Sequence, residues 1–177
     1  MSSAPVGVFD SGLGGLTVVR AIRRRLPREP LLYFGDTARV PYGNKSPDLV
    51  REYARDIARF LVERGAKTLV VACNTASALA LEHLRAEIDV PVLGVIEPGV
   101  DAALREVRRG RVGVIGTIAT IHSRAYSHLL RQKRPGLEVI SQACPLFVPL
   151  VEEGWLEDDV TYTVARRYLQ VFAAEPL

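Results

Sequence analysis

The stretch Leu69-Val70-Val71-Ala72-Cys73-Asn74-Thr75-Ala76-Ser77 decides how this chain reads. Leu69 to Ala72 is apolar without alternation and lies between Gly65-Ala66-Lys67 and a series of small residues. Such a run predicts a strand buried on both faces of a parallel sheet. Cys73 stands where that strand stops, and ligands of open α/β sheets bind outside the carboxyl ends of the strands. Asn74, Thr75 or Ser77 can cap the helix expected next, whose positive end favours a thiolate, so Cys73 is the candidate reactive group. The plainer alternative is a small buried hydrophobe closing a strand.

Toward the amino terminus, Val6-Gly7-Val8-Phe9 reads as a second buried strand. It runs into the glycine-rich turn Asp10-Ser11-Gly12-Leu13-Gly14-Gly15 and then a helix over about 16–25, with Leu16, Val19, Ile22 and Leu26 on one face. The turn lacks the Lys-Ser/Thr of a P-loop and the spacing of a dinucleotide fingerprint, which argues against a nucleotide. It offers bare amides to an anionic ligand with the Asp10 carboxylate beside them, the alternative for Asp10 being a turn-forming role. Leu31-Leu32-Tyr33-Phe34 is a further strand, ending in Gly35-Asp36-Thr37. The segment 38–45, containing Pro41-Tyr42-Gly43-Asn44, has no apolar period and is expected to lie outside the core and carry ligand contacts. Ser46-Pro47-Asp48 opens a helix to about Arg64, with Leu49, Tyr53, Ile57, Phe60 and Leu61 inward and Gly65 as a left-handed cap.

After Cys73 the pattern predicts a helix over about 76–87 and a strand at Val90-Pro91-Val92-Leu93-Gly94-Val95. Glu97-Pro98-Gly99 then punctuates the chain, giving a first domain at 1–97 and a second at 98–177. Val112-Gly113-Val114-Ile115-Gly116-Thr117 repeats the pattern of Val6 to Ser11, with Thr117 and Thr120 supplying hydroxyls where the first copy has Asp10 and Ser11. Ser123 is expected to cap a helix reaching Lys133, and Leu137 to Gln142 to form a strand. Cys144 follows in a loop with Pro145 and Pro149, then a short helix bearing Glu152 and Glu153. A last amphipathic helix over about 158–173 buries Val160, Val164, Tyr168, Leu169 and Phe172. Cys144 has no helix start directly after it, so a structural role is expected. If the second copy follows the first, the counterpart of the Cys73 strand falls just past Leu177, and the native chain is expected to continue.

With 177 residues, 48% hydrophobic and 24% charged, the composition is that of a globular protein with a real core. The net charge is only +3, and the 20 arginines among 23 basic residues are spread along the chain. Arg23-Arg24-Arg25 and Arg108-Arg109-Gly110-Arg111 fall at expected helix ends, so nucleic acid is not the expected partner. Two cysteines, no secretory apolar region at the start and no run long enough to cross a bilayer predict a cytoplasmic protein without a membrane partner. His83, His122 and His128 have no zinc-ligand spacing with each other or with the cysteines, so no metal is expected.

Taken together, Asp10-Ser11-Gly12-Leu13-Gly14-Gly15, Gly35-Asp36-Thr37 with Pro41-Tyr42-Gly43, Ala72-Cys73-Asn74-Thr75-Ala76, Gly116-Thr117 with Thr120, and Cys144-Pro145-Leu146-Phe147-Val148 with Glu152-Glu153-Gly154 resemble the bacterial glutamate racemases, of the cofactor-independent aspartate/glutamate racemase superfamily. Five separated motifs in one order make the resemblance specific. It implies an α/β fold of two pseudo-symmetric open parallel-sheet domains with the active site in the cleft between them, each domain offering one cysteine as a base. It implies interconversion of L- and D-glutamate, supplying D-glutamate for peptidoglycan, with no cofactor and a possible homodimer. By the same resemblance Cys73, Asp10, Asp36 and Glu152 are catalytic, and Asp10, Ser11, Tyr42, Gly43, Asn74, Thr75, Thr117 and Thr120 bind substrate. The family's second Cys-Thr-His segment does not occur in residues 1–177.

The chemistry fits these residue types independently. To invert a Cα centre a proton must leave one face and another arrive on the opposite face, so two opposed acid–base groups are the simple solution. No lysine motif for pyridoxal phosphate is evident, and hydrogen bonds must then stabilise the carbanion. Two other readings use the same residues. One makes Cys73 a nucleophile in acyl transfer, which lacks a histidine in a recognisable motif with it. The other is a fragment that binds acidic amino acids without turning them over.

Overall fold

The computed structural model describes residues 3–108 and 110–174, and the chain divides into two compact units, Met1–Val95 and Ile96–Leu177. Arg109, expected at a helix end, and Leu177 lie outside the described residues.

In the first unit four parallel strands, β1 (Val6–Asp10), β2 (Leu31–Gly35), β3 (Thr68–Val71) and β4 (Val92–Gly94), stand in the order β2-β1-β3-β4. The chain leaves β1 for β2 on one side, then crosses back over β1 to lay β3 on the other. The strand order therefore reverses beside β1, and the carboxyl ends of β1 and β3 meet at the switch point where such sheets place their ligands. Phe9 pairs with Val71 in this register, so Asp10 and Ala72 come next on adjoining strands.

Helices cover both faces. On one, Val18, Val19 and Ile22 of α1 (Leu16–Arg25) pack on Val6, Val8 and Ala72. The expected apolar stripe of α1 is only half used: Val19 and Ile22 pack on the sheet, while Leu16 and Leu26 remain 47% and 50% exposed. On the other face, α2 (Pro47–Glu63), α3 (Asn74–Leu79) and α4 (Leu81–Glu87) bury Val50, Ala54, Ile57, Leu61 and Leu84 with Phe9, Leu69 and Val71. Ser46 caps α2 by accepting the Leu49 amide at 3.4 Å, Pro47 takes the first helical position, and Gly65 has φ +85°. The inward face centres on Val50, Ala54 and Ala58 rather than on Leu49 and Phe60, since small side chains let the helix lie close to the sheet.

Two expectations are corrected here. The strand buried along its whole length is β1, whereas β3 alternates between buried Leu69 and Val71 and half-buried Thr68 and Val70. The helix after Cys73 is also broken at Ala80 into α3 and α4, which lets Leu84 turn into the core.

The second unit opens with α5 (Ile96–Glu106), whose first turn contains Glu97-Pro98-Gly99. The residues expected to punctuate the chain are helical, because a proline in the first turn lacks only an amide that has no partner inside the helix. Strands β5 (Arg111–Gly116) and β6 (Glu138–Ala143) pair in parallel. Between them run α6 (Ile118–His122) and α7 (Ala125–Lys133), and Lys133 Nζ anchors α7 on α5 through Asp101 Oδ1 at 2.6 Å. Ser123 serves two helices, its Oγ accepting the amide of Ala125, the first residue of α7, at 3.2 Å. It closes α6, and Arg124 in a left-handed conformation (φ 58°) turns the chain into α7.

The chain then forms α8 (Phe147–Glu152) and α9 (Asp159–Ala174), joined by Phe147 set edge-on to Tyr168 at 5.4 Å. Of the residues α9 was expected to bury, Val164, Tyr168 and Phe172 are half-buried, while Val160 and Leu169 are 49% and 41% exposed. The helix lies along β6 of a two-stranded sheet, a support too narrow to cover its whole apolar face.

Candidate active site

Cys73 follows β3 with extended backbone (φ −72°, ψ 123°) and is itself the N-cap of α3, its Sγ accepting the Ala76 amide at 3.4 Å. The expected caps do other work. Asn74 and Thr75 are the first helical residues, exposed and buried respectively, and the buried Ser77 hydroxyl donates to Val71 O at 2.8 Å and accepts the Val95 amide at 3.3 Å. Ser77 thus ties the ends of β3 and β4 together beneath the cysteine. The thiol donates to Ser11 Oγ at 3.5 Å, across the switch point.

Burial pushes the Cys73 thiol up, and the negative charge of Asp10 pushes it further, while its hydrogen bonds with Ser11 and the Ala76 amide pull the other way. This corrects the expectation of a thiolate favoured by the helix end. Burial of a residue only 5% exposed, joined by the Asp10 charge, outweighs the hydrogen bonds that favour the thiolate.

Asp10 takes the turn-forming role expected as its alternative. It is 8% exposed, and Oδ2 accepts the Gly12 amide at 3.2 Å and the Gly15 amide at 3.0 Å. Those two amides are therefore engaged by the turn's own carboxylate rather than presented bare. Gly15 must be glycine for space, since a Cβ there would stand 2.5 Å from Asp10 Cβ and 3.2 Å from Ala72 Cβ. Tyr33 on β2 donates to Gly12 O at 2.8 Å and pins the turn from the other side.

Asp36, just past β2, is 4% exposed. Arg39 Nε lies 2.9 Å from its Oδ1 and 2.7 Å from its Oδ2, and the Tyr42 hydroxyl donates to Oδ2 at 2.5 Å. Tyr42 and Gly43 form a buried 3-10 turn (Tyr42–Asn44) that packs against α3, and Tyr42 is 2% exposed within the core. This overturns the expectation of a segment outside the core, because the phenol carries its polar end to a buried carboxylate. Burial, then the hydrogen bond to Asp36, drives the Tyr42 phenol far up, so it stays a donor. Sequence reading missed Arg39 and Tyr33, and gave Ser77 only as a helix cap. Only Arg39 left a signal, an acid–arginine pair three residues apart.

The second unit places Thr117 as the N-cap of α6, Oγ1 accepting the Thr120 amide at 3.2 Å, with the two hydroxyls 3.0 Å apart and Thr120 3% exposed. Glu152 ends α8 and is exposed. Cys144 is 2% exposed, its Sγ donates to Gln142 O at 3.6 Å, and burial raises its thiol. Among the described residues, no group of three or more His, Cys, Asp or Glu is placed to hold a metal ion, and no helix is long and apolar enough to cross a membrane.

Set beside known proteins, residues 12–174 match the Asp/Glu/hydantoin racemase family model. A glutamate racemase of Geobacter metallireducens is 57% identical over 164 residues, 93% of this chain and 61% of that protein. One from Aquifex aeolicus is 55% identical over 167 residues, 94% of this chain and 65% of that protein. The chain thus spans under two thirds of the length of these curated relatives. Glutamate racemase from Francisella tularensis in complex with D-glutamate superposes with a TM-score of 0.93 at 40% identity, covering 100% of this chain and 66% of that one. The Thermus thermophilus enzyme in complex with β-chloro-D-alanine gives 0.83 at 56% identity, over 95% and 62%.

Proposed function

The chain belongs to the Asp/Glu/hydantoin racemase family, and on that premise we propose that it interconverts L- and D-glutamate without a cofactor, Cys73 moving the Cα proton on one face of the substrate. The observation that carries the reading is the meeting of Asp10, Ser11 and Cys73 at the switch point between β1 and β3. The curated relatives are glutamate racemases, and one solved relative is in complex with D-glutamate.

The Cys73 sulfur, as thiolate, takes the Cα proton and becomes a thiol, leaving a carbanion. A second acid returns a proton to the opposite face, and in the reverse direction the Cys73 thiol is the donor. A sulfur whose proton affinity is raised by burial and by Asp10 is a stronger base toward a carbon acid, provided it reaches the thiolate form. The cationic ammonium of the bound amino acid offsets the Asp10 charge and favours that form. Asp10 and Ser11, with the Tyr42–Gly43 turn and Asn74 and Thr75 at the start of α3, are assigned to holding the ammonium and carboxylates. Thr117 and Thr120 are assigned to substrate as well. Asp36 acts through Tyr42, whose hydroxyl donates to it. Glu152 is assigned to the second thiol, that of the family's Cys-Thr-His segment; Cys144, turned to its own strand's carbonyl, is not that base. D-Glutamate for peptidoglycan, in the cytoplasm, is the role that follows.

The test is the optical rotation of L- and of D-glutamate with the native protein in deuterium oxide. Loss of rotation from both enantiomers, with deuterium entering Cα, is expected, and alanine and serine should turn over more slowly. Unchanged rotation, or a preference for alanine, overturns the reading.

A further inference from the structure

Asp36 is a buried carboxylate with two partners of different kinds. Tyr42 donates to it from the turn assigned to substrate, and Arg39 meets both of its oxygens through Nε. The Arg39 guanidinium also lies over the Tyr53 ring, its Cζ 4.2 Å from the centroid, and Tyr53 in turn packs against Tyr42 with ring centroids 5.7 Å apart. The four side chains close a ring: Arg39 to Asp36, Asp36 to Tyr42, Tyr42 to Tyr53, and Tyr53 back to Arg39. Every member is held from two sides. Tyr53 stands on α2, whose inner face is fixed in the core, and the Tyr42 turn packs on α3, the helix that Cys73 caps.

A planar guanidinium suits this place because it stacks on an aromatic face while donating in its own plane. Without it, Asp36 keeps its phenol partner but loses the charged one that meets both of its oxygens, and the turn can shift with it. A contact made alike in the ground state and the transition state, once misplaced, weakens binding rather than turnover.

We propose that Arg39 is a positioning residue, which fixes the Tyr42–Gly43 turn for the substrate by clamping Asp36 against Tyr53. The inference rests on the reading of that turn as a substrate contact. Arg39 touches no reacting atom, so its effect falls on KM. In the native protein Arg39→Ala should raise KM for glutamate about tenfold and leave kcat per folded molecule within about threefold. Added guanidinium ion should restore KM in Arg39→Ala, and Arg39→Lys, which keeps the charge but loses the plane, should fall between. Because both act through one carboxylate, adding Tyr42→Phe to Arg39→Ala should cost less than the sum of the two single changes. An unchanged KM in Arg39→Ala, or strictly additive variants, overturns the proposal. So does a fall in active protein and thermal midpoint with KM intact, since that is a merely structural role.

A readout that does not depend on turnover separates this proposal from the function it rests on. The Tyr42 hydroxyl proton, donated to the Asp36 carboxylate and buried, should give a downfield, slowly exchanging proton resonance that is absent in Tyr42→Phe. Its loss or marked upfield shift in Arg39→Ala supports the clamp, and its persistence unchanged overturns it. Should the wild-type protein leave glutamate untouched, the functional reading fails, and this resonance still decides whether Arg39 fixes Tyr42.

Discussion

Cys73 and Cys144 are both buried thiols within two residues of the end of a parallel strand, yet their surroundings have almost nothing in common. Cys73 follows an interior strand, flanked by β1 and β4, and its neighbour β1 ends in an acid. A helix starts at the very next residue, so Sγ receives an amide hydrogen and reaches the Ser11 hydroxyl. Cys144 follows β6, is succeeded by a proline with no amide to offer, and reaches α8 only at Phe147. Its sulfur turns back to the carbonyl of Gln142. A cysteine at a strand end is thus not enough for chemistry. The helix start beside it and the group that ends the neighbouring strand set what its sulfur meets.

The sharpest way to break this contrast is to delete each sulfur. In the native protein Cys73→Ala should lower kcat for glutamate racemisation by about a thousandfold, the scale of losing a positioned acid–base group, while Cys144→Ala should stay within about threefold. Equal losses in polarimetric assays would mean that the two strand ends are equivalent.

A smaller effect tests the acid at the end of β1. Asp10→Asn removes the charge but keeps an oxygen for the Gly12 and Gly15 amides, so the turn should survive while kcat falls about a hundredfold with KM changed less. Steady-state kinetics with the thermal midpoint measured alongside decide it, and an unchanged kcat would leave Asp10 with the turn alone.

The smallest effect is on stability against pH. The folded Cys73 thiol titrates higher than the unfolded value of about 8.5, so above that pH the unfolded chain has released a proton the folded one still holds. The stabilisation is complete below about pH 8.5 and is lost as pH rises toward the folded value. Cys144 acts in the same direction through burial alone. Thermal midpoints between about pH 8 and 10 should therefore fall, and Cys73→Ala should flatten that fall more than Cys144→Ala does. A steeper slope in Cys73→Ala would contradict the charge effect of Asp10.

Much of this was legible from residue pattern. The strand–turn–helix from Val6 to Arg25, the cap at Ser46-Pro47 and the parallel α/β class follow from apolar runs and punctuation, which act over a few residues. The resemblance carried by five motifs pointed to the family now matched over residues 12–174. Tyr42 was misjudged because its segment is polar in sequence, and only a buried carboxylate six residues earlier makes a buried phenol stable there.

By itself, then, the sequence determined the elements, their class and the residue types available for proton transfer, because propensity, capping and hydrophobic period are local properties of the chain. Only the tertiary structure decided which amides Asp10 occupies, that Cys73 is its own helix cap, and that its thiol is pushed up rather than down. Desolvation and charge depend on what surrounds a side chain in space, and Ser11, which meets the Cys73 sulfur at the end of the neighbouring strand, is 62 residues away along the chain.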